Sequence, residues 1–172
     1  MKLILTAKNT YSGDSGFYAR VSPVKNEAFT GLVKLLEASC PITFNEVYDD
    51  PHVTVMYSPK SPNALAASLI HDSHEHNEFL ARSIRVLLWP GHNGKGYVVL
   101  KLLCPDLCLL HEKLKKTGAV PTFSPYAPHM TLCKDCGDFT QDIKNWQSRV
   151  NTLLGTSPIL LTYSQFGLEP MR

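Results

Sequence analysis

Pro51-His52-Val53-Thr54-Val55-Met56 and Pro128-His129-Met130-Thr131-Leu132-Cys133 decide how this chain reads. Each stretch runs proline, histidine, apolar residue, threonine, and then further apolar residues. In an extended strand, residues two apart project to the same side. Each segment therefore sets an imidazole and a hydroxyl side by side, with Val53 or Met130 turned to the opposite face. Two such faces meeting across a gap bring together two titratable rings and two hydroxyls.

The ordinary pKa of histidine is about 6.5, so near neutrality one ring can be neutral and another protonated. A neutral imidazole takes a proton from an attacking hydroxyl, and a protonated one delivers a proton to a leaving oxygen. Threonine hydroxyls donate hydrogen bonds to phosphate oxygens and stabilise charge that develops there. This set suits cleavage of a phosphodiester with no metal and no other cofactor.

Composition narrows the partners. A chain of 172 residues fits one domain with a substantial core. A net charge of +2 is too small for wrapping a long nucleic acid, whose binding rests on many phosphate neutralisations. A small anionic ligand needs only a few placed cations. No apolar run reaches the length of a membrane span, and Met1-Lys2-Leu3-Ile4-Leu5 is too short for a signal peptide, which predicts a cytoplasmic protein. The five cysteines are odd in number and irregularly spaced, which predicts reduced thiols. Cys133-x-x-Cys136 has no second ligand pair at zinc spacing, so ordinary thiols outweigh a zinc site or a redox pair. His71, His74 and His76 fall in a polar stretch with Asp72, Glu75 and Glu78 and read as a solvated linker.

Periodicity predicts strands over 2–7, 17–21, 52–57, 82–89, 97–103, 129–133 and 159–166. Helices are predicted over 24–39, with Ser22 as cap and Pro23 in the first turn, and over 63–70. Two more are predicted over 106–117, closed by Gly118, and over 140–154, capped by Asp138, with Trp146 in the core. Both halves run strand pair, helix, extended lead-in, and Pro-His-x-Thr strand, an order that reads as an internal duplication.

On these two motifs in a duplicated frame, the chain resembles the 2H phosphoesterase superfamily. The resemblance implies an α+β, bilobal fold over 1–172, with two mostly antiparallel sheets lining a central cleft and helices outside. It implies that His52 and His129 are the acid–base pair and that Thr54 and Thr131 bind phosphate. The segment Leu88-Trp89-Pro90-Gly91, followed by Gly96-Tyr97-Val98-Val99-Leu100-Lys101-Leu102, is similar to the phage anti-CBASS nucleases. Those enzymes hydrolyse cyclic di- and trinucleotide messengers of bacterial antiviral signalling, inside the host cytoplasm. The likeness implies a base held between two aromatic rings, Trp89 and Tyr18 (with Tyr11 as the second choice), and a late carboxylate, Glu169. Arg20 shares the Tyr18 side of its strand by alternation and joins this substrate-binding set. Lys95, Lys101 and Lys134 read as solvated lysines, and His92 and His111 carry no motif. A same-fold alternative is a phosphodiesterase of RNA 2′,3′-cyclic ends or 2′–5′ bonds. An alternative of another class is a nucleotide sponge without turnover.

Overall fold

The computed structural model describes residues 16–38, 40–91 and 95–170. In chain order the elements are β1 (Phe17–Pro23), α1 (Glu27–Glu37), α2 (Glu46–Asp49), β2 (Val53–Ser58), α3 (Ala64–His74) and β3 (Phe79–Trp89). Then follow β4 (Tyr97–Leu103), α4 (Pro105–Lys116), β5 (His129–Cys133), α5 (Gln141–Thr156) and β6 (Leu160–Pro170). The fold is mixed α+β, and every strand pairing is antiparallel.

One feature departs from the two-sheet expectation. The six strands close into a single barrel in the order β1-β2-β5-β4-β3-β6. The cause is β6, whose residues Leu160–Tyr163 pair with β3 while Tyr163–Pro170 pair with β1. Gly167 interrupts the apolar run, so periodicity ends the strand at Phe166, yet the Gly167 backbone pairs with Arg20. A register shift beside Gln165, which has a positive φ of 56°, bends the strand from one neighbour to the other.

One face of the sheet packs against helices. Trp146 of α5 is fully buried, donates from Nε1 to the Leu36 carbonyl of α1 at 2.9 Å, and meets Phe44 edge-on. Leu107, Leu110 and Leu114 make the buried stripe of α4, and Gly118 closes that helix in the left-handed region at φ 96°. No helix among the described residues is long and apolar enough to cross a membrane.

Helix starts differ from the sequence reading. Ser22 and Pro23 belong to β1, because they pair with Ser164 and Tyr163, and Asn26 caps α1 by accepting from Phe29 N at 3.1 Å. Thr140 instead of Asp138 caps α5, accepting from Ile143 N at 3.4 Å. The histidine-rich stretch is no loop: α3 runs through His71 and His74, whose rings lie 5.8 and 6.4 Å from Phe166. Cys133 and Cys136 are joined as a disulfide, which corrects the reduced-thiol reading for that pair, while Cys40, Cys104 and Cys108 are free. The turn after β5 folds back, with Asp135 and Gly137 at positive φ, and so brings the two sulfurs together. The predicted strand over 2–7, Tyr11 and His92 lie outside the described residues.

Candidate active site between the two motif strands

Proline makes the two histidine anchors alike. In Asp50-Pro51-His52 and in Ala127-Pro128-His129 the ring Nδ1 turns back to the carbonyl two residues earlier, at 2.7 Å to Asp50 O and 2.8 Å to Ala127 O. Proline fixes φ at the one residue between carbonyl and histidine, in the same way at both sites. A carbonyl only accepts, so Nδ1 carries the proton and Nε2 of the neutral ring is left as a bare acceptor. Nε2 has no hydrogen-bond partner among the described residues in either ring.

The strands that carry these rings are neighbours. β2 pairs with β5 through Val53 and Met130, both fully buried. One step to either side, antiparallel register sets His52 against Thr131 and Thr54 against His129 on the opposite face. Burial lowers the His129 pKa below the usual histidine value, and the neighbouring His52 adds to that lowering.

Beyond that single pair the strands part, and side chains take over the exposed backbone of β2. The Tyr126 hydroxyl donates to Thr54 O at 3.1 Å, and His111 Nδ1 donates to Val55 O at 2.7 Å. Their rings stack, centroids 4.2 Å apart and planes within 3°. A cavity of about 310 Å³ opens at this parting, lined by Thr54, Tyr57, Trp89, Phe123, Tyr126 and His129 among others. Burial holds Tyr126 far above the ordinary tyrosine pKa, so it remains a neutral donor.

Tyr18 and Trp89 flank the histidines from opposite sides. Tyr18 meets His52 edge-on at 5.9 Å and Tyr57 at 6.2 Å, and its hydroxyl lies 3.1 Å from Thr54 Oγ1. Burial raises the Tyr18 pKa, which keeps it a phenol. Trp89 meets His129 at 4.6 Å. Each of the two rings implied to hold a base thus stands beside its own histidine, Tyr18 at His52 and Trp89 at His129. Arg20 is not a bare cation: it pairs with Asp50 through Nη1 and with Glu169 through Nε at 3.1 Å. Glu169 stands opposite Tyr18 in the register and faces Arg20. The Thr131 hydroxyl has no partner among the described residues, which leaves it open to a ligand.

Four contributors escape a reading of the sequence alone. Asp50 supplies the His52 anchor, and its carboxylate lies 3.5 Å from His52 Nδ1; its place just before Pro51 was the available signal. Asn45 caps α2 through Glu46 N at 2.8 Å, accepts from Lys134 N at 2.9 Å, and donates to Lys134 O at 3.0 Å. This clasp ties the lead-in to His52 to the end of β5. His111 and Tyr126 come from a helix and a loop, and only the fold brings them under β2. Among the described residues no group of three or more His, Cys, Asp or Glu side chains is placed to hold a metal ion.

Comparison with known proteins gives one family. A family model described as Anti-CBASS protein Acb1 matches residues 15–155. The Anti-CBASS protein Acb1 of Vibrio phage KVP40 is 30% identical over 137 residues, covering 78% of this chain and 80% of its own length. A crystal structure described as that of a phosphoesterase aligns over 92% of this chain and 96% of its own, at 15% identity and a TM-score of 0.49.

Proposed function

The chain belongs to the Acb1 family of anti-CBASS proteins, and from that premise we propose that it is a phosphodiesterase that cleaves cyclic oligonucleotide messengers between His52 and His129. One observation carries the reading. Two imidazoles, each held by the same Nδ1–H to carbonyl bond, offer bare Nε2 atoms from adjacent strands.

The surroundings of the two rings differ enough to divide the labour. Burial and the neighbouring His52 lower the His129 pKa, which keeps the ring neutral near pH 7, the state a general base requires. His52 has the Asp50 carboxylate 3.5 Å away, a partner for an imidazolium, so His52 is the general acid. On a ribonucleotide ring, His129 Nε2 takes the proton of a 2′-hydroxyl, and that oxygen forms a bond to phosphorus. The bond from phosphorus to the 5′-oxygen breaks, and the departing oxygen receives the His52 proton. The ring opens to a 2′,3′-cyclic phosphate and a free 5′-hydroxyl. Water can then open the cyclic phosphate, with the two histidines in exchanged roles.

Thr54 and Thr131 donate to the non-bridging oxygens. Tyr18 is kept as a phenol with its hydroxyl 3.1 Å from Thr54 Oγ1, and with Tyr18 as the donor of that bond the threonine hydrogen is free for phosphate. Trp89 and Tyr18 offer aromatic faces to the flanking bases, and base stacking tolerates any sequence. Arg20 and Glu169 hold Asp50 and Tyr18 in place beside His52. The reaction uses side chains alone, with no cofactor, and its setting is the cytoplasm of an infected bacterium.

The test is a substrate panel with chelator present. Cyclic di- and trinucleotides, a 2′,3′-cyclic mononucleotide and a 2′–5′ dinucleotide are incubated separately and products resolved by chromatography. Loss of the cyclic oligonucleotides supports the reading. Loss of the other two alone moves the protein to RNA-end chemistry, and retention of intact ligand after long incubation makes it a sponge.

A further inference from the structure

The row of side chains that contains His129 does not end at the catalytic residues. Lys101 of β4 is the register partner of His129, and Arg85 of β3 is the register partner of Lys101. Directly paired residues on antiparallel strands project to the same face. Two observations fix that face. The next row, Met130, Leu100 and Val86, is fully buried in the core, so its neighbour must turn the other way. Trp89 lies four residues beyond Arg85 with unbroken register between them, and its ring touches His129. Lys101 and Arg85 therefore extend the cleft side of the sheet.

This pair is costly as it stands. Like charges directly opposite one another on a sheet destabilise it, and neither cation has an ion-pair partner among the described residues. The contrast lies on β1, where Arg20, the register partner of Thr54, is matched by Asp50 and Glu169. A bound dianion or phosphodiester between Lys101 and Arg85 removes the repulsion. The guanidinium fork and the ammonium share the two non-bridging oxygens of such a diester.

We propose that Lys101 and Arg85 form a second phosphate site, beside the scissile one, for the non-scissile phosphodiester of a cyclic dinucleotide. The proposal rests on the phosphodiesterase reading above and adds what selects the substrate. Strand spacing puts the pair one and two strands from His129, about 5–10 Å along the sheet. A cyclic dinucleotide carries a second phosphate to place there. A dinucleoside monophosphate, with the same kind of bond to cut, carries none.

The test compares kcat/KM for a cyclic dinucleotide and a dinucleoside monophosphate across wild type, Lys101→Ala, Arg85→Ala and Lys101→Arg. The ratio of the two values is expected to fall roughly ten-fold in each alanine variant, through KM, and to recover in Lys101→Arg. An unchanged ratio overturns the proposal. Arg85 is exposed, so its alanine variant keeps the test available if Lys101→Ala fails to fold. A binding arm separates this idea from the reaction itself. Intact cyclic dinucleotide is titrated into His52→Ala and into His52→Ala with Arg85→Ala. A roughly ten-fold weaker affinity in the double variant supports the site even if wild type cleaves neither substrate. Equal affinities, or no binding to His52→Ala, overturn it.

Discussion

Val53 and Met130 lie directly opposite each other and are the residue pair that joins β2 to β5. Both are sealed in the core. Their pairing gives the site a local twofold relation, because in antiparallel register the residues on either side exchange places. By that register a histidine is set opposite a threonine on each side of the pair. The parting of the strands beyond this pair creates the cavity, and His111 and Tyr126 satisfy the carbonyls that the missing ladder leaves open.

The pH profile should carry the mark of His129. A general base works only when neutral, and burial together with the neighbouring His52 lowers the His129 pKa from its usual value. A lowered pKa keeps the ring neutral to more acidic pH. The acidic limb of kcat/KM is therefore expected below pH ~6.5. Initial rates from pH 4.5 to 8 measure it, and a limb centred above 7 contradicts the role given to His129.

Trp89→Ala should weaken substrate binding without unfolding the protein, since Trp89 is 39% exposed. Loss of one stacking face costs roughly 1–3 kcal/mol, which appears as a raised KM. Trp146 is sealed in the core, so quenching of tryptophan fluorescence by a non-hydrolysed analogue should report on Trp89 and vanish in the variant.

Asn45→Ala tests whether the clasp to Lys134 supports the site. The change removes a helix cap and two side-chain hydrogen bonds to the end of β5. Stability is expected to fall by about 1–2 kcal/mol. The lead-in to His52 loses its tether, so kcat should fall at temperatures where the variant is still folded. Thermal melting and kcat measured together check this; an unchanged kcat limits Asn45 to a structural role.

Local order was legible in the chain where one segment decides its own structure. The two motif strands, β4 and the inward stripe of α4 each follow from spacing alone. Choices between distant partners were not legible. Nothing near Gly167 says that its backbone completes a sheet with Arg20, and nothing near Ser22 says that β6 will hold it extended. Helix caps moved for the same reason. His111 lacks any motif because its partner, the Val55 carbonyl, stands 56 residues away. Lys101 read as an ordinary surface lysine until register set it beside His129. In the site, the four motif side chains were visible as types, whereas the carbonyl anchors of the two rings and the pairing of Tyr18 with His52 and Trp89 with His129 came only with three dimensions.

The central claim is that two imidazoles share one scissile phosphorus. Single-turnover cleavage of a cyclic dinucleotide, with chelator present, measures this most directly for wild type, His52→Ala and His129→Ala. Each alanine variant is expected to lose about 10²–10⁴-fold in rate while its melting transition remains cooperative. Wild-type rates in either folded variant would contradict the account.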